Sequence, residues 1–314
     1  MILVTGCNGF IGSALINQLQ IGGNFNIRGA LRKPDQVSDE NIDIVFCGDI
    51  NAKTYWKDAL EGCNTVIHSA ALTHQMDNNL LETTREKYLE INTRGTINLA
   101  RQAAESGVKR LIFLSSIKVN GESTPINKPF RFDDTPEPTD DYAQSKHDAE
   151  TGLKEIAEKT GIEIVIIRSP LVYGPGVKAN FASLIKIISK GLPLPLLFIK
   201  KNKRSFVSLY NLIDLIITTI DHPRAVNQTF LVSDGRDLST VELIKIISKM
   251  MNKEPRLLPF PILLLKAFAA LLGKTNVIKR LLENLEIDIT HTCDILDWKP
   301  PLTIEEGIQR TIGT

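Results

Sequence analysis

The sequence predicts an α/β protein with a doubly wound parallel sheet and a smaller α+β lobe after it. Short β-branched runs alternate with helical patterns up to Arg168, and this alternation is typical of parallel strands that helices cover on both faces. After Arg168 the texture changes to a loop rich in glycine and proline, followed by shorter elements. We therefore expect a first domain over residues 1–170. A mainly substrate-binding lobe should follow over 171–314, with some segments that return to the first domain.

A glycine-rich turn follows the first strand pattern of the chain. Residues 1–4 are apolar and β-branched, the next eight read TGCNGFIG, and a helical run occupies 13–20. The glycines (Gly6, Gly9 and Gly12) let a ligand approach the backbone, and the helix N-terminus offers N–H groups and a partial positive charge. The turn therefore predicts a phosphate site and a Rossmann-type, dinucleotide-binding first domain.

The other elements are placed by their hydrophobic patterns. In the first domain, strands are expected at 25–31, 44–47, 65–68, 111–115 and 162–168. Long helices are expected at about 80–106 and at 140–160. In the second lobe, helices are expected at 181–190, 211–220, 239–251 and 303–312, and short strands at 205–208 and 229–232. The stretch 169–181 should form a loop at the carboxyl edge of the sheet, where ligands bind in such folds.

The composition narrows the class of protein. With 314 residues and 43% apolar content, the chain can bury a large core. Its formal net charge of +1 argues against a nucleic-acid binder, which carries a basic excess. Its cysteines (Cys7, Cys47, Cys63 and Cys293) show no CxxC spacing. No His/Cys/Asp/Glu cluster in the sequence suggests a metal site. A strand is expected to start at Met1, which leaves no room for a signal peptide. We expect reduced thiols, no metal and a cytoplasmic protein.

The most apolar stretch of the chain is 257–272. Pro259, Pro261 and Lys266 interrupt it, and a membrane span needs about 20 apolar residues, so we expect no stable membrane insertion. A buried or amphipathic helix is the favoured interpretation. Peripheral contact with a membrane stays open as the alternative.

Two groups of residues point to proton-transfer chemistry. Tyr142 and Lys146 in YAQSK are four residues apart and share one face of the predicted helix. A lysine ammonium beside a phenol lowers the tyrosine pKa from about 10, so the phenol can act as general acid or base near neutral pH. Ser115 and Ser116 end a predicted strand, where a hydroxyl can face a cofactor crevice. Each motif alone is weak, but their combined order along the chain is specific.

The chain carries the motifs TGCNGFIG, GDI, VIHSAA, NTRGT, LSS, YAQSK and LVYGPG, in that order. Over its full length it resembles the extended short-chain dehydrogenases/reductases of the nucleotide-sugar epimerase and dehydratase group. SSIKVNGE and GVKANF resemble its bacterial subgroup of UDP-sugar 4-epimerase-like enzymes and 4-ketoreductases, which serves surface polysaccharide synthesis. The resemblance implies an NAD(P)-dependent enzyme that acts on a UDP-sugar. It also implies a homodimer that packs the two long helices of each copy into a four-helix bundle.

The resemblance further implies a role for each matching residue. Tyr142 exchanges a proton with the sugar, Ser116 hydrogen-bonds the same sugar oxygen, and Lys146 binds the nicotinamide ribose. Asn180 and Arg204 match positions that contact the nucleotide diphosphate; the basic run around Arg204 supports this, although such runs are commonly solvated. The implied cofactor-binding residues are Gly6, Gly9, Phe10, Ile11, Gly12, Arg32, Asp49, Ile50, Ala70, Ala71, Asn92, Ser115, Tyr142, Lys146 and Pro170.

Three local features of the sequence narrow the choice of cofactor and of reaction. The second strand ends at Arg32, and no acid follows until Asp35; an arginine there accommodates the NADP phosphate, so we expect NADP in preference to NAD. Ile117 and Lys118 replace the Asp-Glu pair of family dehydratases, which argues against dehydration. Leu171 replaces an asparagine that many members carry, so the hexose stays open.

The main hypothesis is therefore a 4-reductase that acts on a UDP-4-keto-6-deoxyhexosamine. The alternative is a UDP-hexose or UDP-hexosamine 4-epimerase that retains its NAD. From another class, a non-catalytic dinucleotide-binding redox sensor stays open, because a fold does not determine a function. His74 follows the fourth strand, but a lone loop histidine is commonly solvated and is left out of the catalytic set. His68 lies inside a strand and is expected to be structural.

Overall fold

The computed structural model describes residues 1–33, 42–73, 85–273 and 275–313. Its strands are β1 (Ile2–Thr5), β2 (Ile27–Leu31), β3 (Asp43–Phe46), β4 (Thr65–His68), β5 (Arg110–Ser116), β6 (Glu163–Ser169), β7 (Leu171–Tyr173), β8 (Phe206–Ser208) and β9 (Thr229–Leu231). Its α-helices are α1 (Phe10–Gly22), α2 (Lys57–Leu60), α3 (Arg85–Tyr88), α4 (Gly95–Glu105), α5 (Asp141–Thr160), α6 (Ala179–Ser189), α7 (Leu209–Asp221), α8 (Thr240–Met250), α9 (Ile262–Leu271), α10 (Thr275–Leu282), α11 (Thr290–Leu296) and α12 (Ile304–Ile312). A π-helical segment, Leu89–Arg94, joins α3 to α4.

Seven parallel strands form the main sheet, in the order β3-β2-β1-β4-β5-β6-β9. The predicted doubly wound α/β fold is confirmed. The chain order reverses beside β1, so the carboxyl ends of β1 and β4 flank a crevice of the kind in which open α/β sheets bind ligands. Thr5 and His68 end these two strands, and Ser116 ends β5, the neighbour of β4.

Each face of the sheet is covered by its own apolar layer. On one face α1 and α7 pack on the strands, and this core includes Phe230 of β9 and Trp298. On the other face α2, α4 and α5 pack around Trp56 and Phe113. All four residues of β1 are buried, as a central strand of a parallel sheet requires. The C-terminal half thus supplies one strand and part of the core to the N-terminal sheet.

Two expectations about local structure need correction. Residues 169–181 do not form a continuous loop, because β7 pairs in parallel with β8 and α6 begins at Ala179. The hydroxyl of Tyr173 in β7 donates a 2.7 Å hydrogen bond to Asp234, which holds this short strand in place. The helix predicted over 80–106 is described from Arg85 onward, and its π-helical turn was not foreseen.

The apolar stretch 257–272 was expected to form a buried or amphipathic helix, and the helix it forms, α9, is neither. Ala269 is buried in α9, whereas Leu263 and Leu271 are 81% and 82% exposed. The helix rests on its neighbours through one narrow stripe, and apolar side chains also occupy the opposite face. Within the described parts of the chain, no helix is long and apolar enough to cross a membrane.

Candidate active site

The glycine turn lies between the carboxyl end of β1 and the N-terminus of α1. Gly6 has a φ of +68°, and its carbonyl oxygen accepts a 2.9 Å hydrogen bond from the N–H of Gly9. A Cβ on Gly12 would lie only 2.1 Å from that same oxygen. The helix begins after Gly9 without a side-chain cap, so its first N–H groups can donate to an anion. The turn therefore fits the pyrophosphate of a dinucleotide.

A cavity of about 280 Å³ opens beside the turn at the carboxyl edge of the sheet. It brings together predicted cofactor residues from four separate segments, namely Gly6, Gly9, Arg32, Asp49, Ile50, Ala70 and Ala71. A larger cleft of about 1000 Å³ between α1 and α7 also includes Gly9, and Phe10 lines this cleft rather than the smaller cavity. Tyr142 and Lys146 line neither of the two, but the larger cleft contains none of Arg32, Asp49, Ile50, Ala70 and Ala71. We regard the smaller cavity as the candidate cofactor site.

Replacement of Gly12 by alanine should weaken dinucleotide binding by about tenfold or more, because the clash with the Gly6 carbonyl forces the turn open. The dissociation constant of NAD, measured by calorimetry, checks this expectation. Gly22→Ala at the end of the same helix is the matched control, since its added Cβ meets no atom within 4 Å. Unchanged NAD affinity in a folded Gly12→Ala protein would show that the turn does not hold the cofactor.

Arg32 and Asp49 face each other at the rim of the cofactor cavity. Nη1 of Arg32 lies 3.7 Å from Oδ1 of Asp49, and both side chains are exposed. A carboxylate this close opposes the binding of a second anion to the same guanidinium. Arg32 therefore favours the binding of an NADP phosphate less than the sequence suggests. Asp35, the first acidic residue after Arg32 in the sequence, lies outside the described residues.

Asn92 is buried in the π-helical segment. Its Oδ1 accepts a 2.8 Å hydrogen bond from the N–H of Leu72, and its Nδ2 donates to Leu72 O and to Ser145 Oγ, each at 3.0 Å. These contacts tie the loop after β4 to α5, and π-helical turns are frequent at functional sites. Protein groups thus engage both the oxygen and the nitrogen of its amide, and the contact of Asn92 with the cofactor stays a prediction.

Tyr142 and Ser116 meet at the carboxyl end of β5. The carboxylate of Asp140 caps α5 by accepting a 2.7 Å hydrogen bond from the N–H of Ala143, and this cap places Tyr142 in the first turn. Tyr142 and Ser116 share a hydrogen bond, but burial and then the charge of Asp140 raise the pKa of Tyr142 to about 12. The predicted lowering of this pKa is wrong for the protein alone, because a low-dielectric site disfavours the phenolate.

Lys146 lies one helical turn further along α5. Its ammonium donates a 2.8 Å hydrogen bond to the carbonyl oxygen of Leu114 and lies 4.3 Å from the centre of the Phe113 ring. Burial lowers the pKa of Lys146 to about 7, although the charge of Glu150 opposes this fall. This fall in the pKa disfavours the charged form of Lys146, so the side chain stabilises a phenolate less than its spacing from Tyr142 suggests.

A buried polar network behind Lys146 was missed by the sequence analysis. Glu150 accepts a 2.6 Å hydrogen bond from Ser115 Oγ and forms an ion pair with Arg168, whose Nη2 lies 2.6 Å from Oε2 of Glu150. Nη1 of Arg168 donates to Asn120 Oδ1 at 2.9 Å. The one available signal was the spacing, since Glu150 follows Lys146 by four residues on the same helix face. Ser115 thus supports Glu150, and a direct cofactor contact for it stays a prediction.

The two histidines considered from the sequence differ in how far they can be placed. His68 is buried, with Nδ1 2.7 Å from Thr5 Oγ1 and Nε2 2.9 Å from Thr96 Oγ1. Burial lowers the pKa of His68 to about 3, so it stays neutral and acts as a structural link between β1 and α4. His74 lies outside the described residues. No cluster of His, Cys, Asp or Glu suited to a metal occurs in the described ranges.

The predicted diphosphate contacts lie in the second lobe. Burial and the neighbouring charge of Arg280 lower the pKa of Arg204 to about 10. Arg280, from α10, was not foreseen, because 76 residues separate it from Arg204 in the sequence. Two guanidinium groups in one half-buried place can bind a dianion such as a diphosphate. The carboxylates of Glu283 and Glu122 oppose the fall in the pKa of Arg204 and compete for the same positive charge. Asn180 lies exposed in the first turn of α6, and Pro170 lies buried between β6 and β7.

Comparisons with known proteins agree with this geometry. Residues 2–233 match the NAD dependent epimerase/dehydratase family. The chain is 48% identical over 310 residues to a UDP-glucose 4-epimerase of Vibrio cholerae, covering 99% of this chain and 94% of that one.

Two solved structures share the fold. A UDP-glucose 4-epimerase of Thermotoga maritima with UDP-glucose superimposes with a TM-score of 0.77 at 21% identity, covering 99% of this chain and 97% of the other. A UDP-glucuronic acid 4-epimerase of Bacillus cereus in complex with NAD gives 0.77 at 20% identity, with 98% and 96% covered. With the glycine turn, the cofactor cavity and the Ser116–Tyr142 contact in place, the chain belongs to the NAD dependent epimerase/dehydratase family.

Proposed function

We propose that the protein is a UDP-sugar 4-epimerase that retains NAD between turnovers. The observation that carries this proposal is the hydrogen-bonded pair of Ser116 and Tyr142 at the carboxyl end of β5, on the same edge of the sheet as the glycine turn, with Lys146 one helical turn further along α5. The similarity to the epimerase of Vibrio cholerae over nearly the full length of both chains supports the choice of reaction. Arg204 and Arg280 supply the charge that a nucleotide diphosphate needs.

The proposed reaction assigns a proton-handling task to Tyr142. Its phenolate would take the proton of the sugar 4-hydroxyl as C4 is oxidised to the ketone, and the phenol would return that proton to the same oxygen as C4 is reduced on its other face. Ser116, already hydrogen-bonded to the phenol, holds the same sugar oxygen. Lys146 binds the ribose and adds positive charge near the phenol. When bound, the nicotinamide supplies a reversible hydride acceptor.

Burial serves this chemistry as well as opposing it. A site closed to water keeps the transient 4-keto sugar from being hydrated and strengthens each charge interaction inside it. The same burial raises the pKa of Tyr142, so the phenolate must be stabilised by the positive charges of the assembled site. This requirement gives Glu150 a part, since its charge favours the ammonium form of Lys146.

The 4-reductase, which was the main hypothesis from the sequence, becomes the second candidate. It rested on Arg32 and a preference for NADP, and the nearby carboxylate of Asp49 weakens that argument. The similarity to a named epimerase favours retained NAD instead. A redox sensor is the weakest of the three, because such a protein has no use for the paired Ser116 and Tyr142 in the crevice.

Incubation with UDP-glucose or UDP-N-acetylglucosamine, without added reductant, should yield the C4 isomer of at least one of them. Chromatography of the sugar nucleotides measures the conversion. A parallel reaction with NADPH and a UDP-4-keto-6-deoxyhexosamine separates the second candidate. NADPH oxidation there, with no isomer formed in the first reaction, would establish a 4-reductase. No turnover in either reaction would favour the sensor.

We also propose a cytoplasmic homodimer in which α4 and α5 form the interface. The two helices pack closely, because Gly152 of α5 lies against Ile97 of α4, where an added Cβ would be 2.4 Å from Cδ1. They thus present one continuous layer for the four-helix bundle that the family resemblance implies. The four cysteines are free thiols, which agrees with a reducing compartment.

A further inference from the structure

The exposed face of α9 has the composition of a protein core. Viewed down the helix, Ile262, Leu265 and Ala269 face the neighbouring elements, at the spacing of one helical stripe. The opposite face carries Leu263 and Leu271, both more than four-fifths exposed, together with the half-exposed Leu264. Phe268, also about half exposed, lies on the flank of this face, and the exposed Leu272 follows the last residue of the helix. An apolar patch of this kind on a protein surface marks an interaction site.

The chain around this patch is strongly basic. Residues 245–274 hold six lysines and arginines against one acid, Glu254, although the whole protein has a net charge of only +1. Lys245, Lys249 and Lys253 line one surface groove together with Glu254, at the end of α8 and in the segment that leads to α9. All three are exposed, as is Lys266 on the flank of α9 itself. Exposed apolar and positive groups therefore occupy one region of the second lobe.

The two kinds of side chain are also placed side by side. Leu194 donates to the carbonyl of Arg256 at 2.8 Å and accepts from the N–H of Leu258 at 2.8 Å, so the segment before α9 is extended. In an extended segment, residues two apart point to the same side. Arg256 and Leu258 are both exposed there, so a positive and an apolar side chain lead together into α9.

We propose that α9 and its basic surroundings form a docking surface for an anionic lipid membrane, on which the protein lies without spanning it. Apolar side chains flanked by lysine and arginine match the acyl boundary and the phosphate headgroups of such a surface. A second copy of this chain fits less well. A two-fold contact places the same patch on both sides, so it would set this positive region against itself.

Sedimentation of the full-length protein with vesicles tests the proposal. Vesicles of equal parts phosphatidylglycerol and phosphatidylcholine should bind the protein at least about tenfold more tightly than pure phosphatidylcholine, and added salt should weaken the binding. Leu263→Gln/Leu271→Gln and, separately, Lys249→Gln/Arg256→Gln should each lose most of this binding. Their activity on a soluble substrate should be unchanged, because none of the four residues belongs to the proposed catalytic machinery.

The matched control is Ile21→Gln, an apolar side chain that is 78% exposed on α1, and it should sediment like the unmodified protein. Equal binding to both vesicle types, or none to either, would overturn the proposal. Light scattering supplies the remaining outcome. If Leu263→Gln/Leu271→Gln lowers the oligomeric state while vesicle binding is absent, the patch is an interface between copies. None of these readouts depends on which sugar reaction the protein catalyses.

Discussion

Tyr142→Phe should lower kcat by roughly 10²–10⁴-fold, the usual contribution of a positioned general acid or base. The change removes one oxygen from a partly buried side chain that hydrogen-bonds Ser116. The ring still fills its place in the first turn of α5. Dinucleotide affinity should therefore be retained while turnover collapses. Initial rates with the identified UDP-sugar and a calorimetric dissociation constant for NAD measure the two effects separately.

Tyr88→Phe is the control for this experiment. Tyr88 is a buried neighbour of Tyr142, and the two rings meet edge to face with centroids 6.1 Å apart. It has no proton-transfer role in the proposed reaction, so kcat should change by less than about tenfold. If both variants lose activity alike, the loss reflects altered packing, and the assignment of Tyr142 as the proton-transfer group fails.

Glu150→Ala should destabilise the fold by about 3–5 kcal/mol, because it leaves the buried guanidinium of Arg168 without its countercharge. Both side chains are almost completely inaccessible, at 2% and 3%. The change also removes the acceptor of Ser115 and the charge that keeps up the pKa of Lys146. Denaturant unfolding measures the loss of stability. Activity at neutral pH should fall as well, since less Lys146 is then charged.

Two further variants show whether the buried pair causes this effect. Glu305→Ala breaks the exposed pair with Arg236, whose atoms are 2.8 Å apart, and should cost only about 0–1 kcal/mol. Glu150→Leu/Arg168→Met removes both buried charges and should recover much of the lost stability. A Glu150→Ala protein as stable as the unmodified one would mean that water reaches Arg168.

The fold was largely predictable because its strongest elements are those with the clearest patterns. The strand at 65–68 was placed at the bounds that the structure shows, since four consecutive buried residues bounded by polar ones leave little choice. The parallel pair of β7 and β8 was missed, because a strand of three residues is too short to show a period. The π-helical turn changes hydrogen bonds within a helix, which leaves no mark in the hydrophobic pattern.

The site was predictable only where one helix or one strand end carries it. Tyr142 and Lys146 follow from helical spacing, and Ser116 follows from its position at a strand end. The partnership of Arg204 with Arg280 joins segments far apart in the chain, so no local pattern announces it. The pKa of Tyr142 was predicted to fall, whereas burial raises it. Spacing shows which groups are neighbours, but only packing shows how much water they lose.

The late contribution of β9 and Trp298 to the N-terminal sheet bears on how the protein is made. Phe230 and Trp298 belong to the same apolar layer as α1 and β1, and the indole of Trp298 donates to Asp214 at 2.6 Å. At about 5–20 residues per second, the ribosome needs roughly ten seconds between residue 170 and the tryptophan. During that interval the nascent sheet has an open edge beside β6 and an incomplete apolar layer. We therefore expect that the first half completes its sheet and core only after β9 and Trp298 have been synthesised.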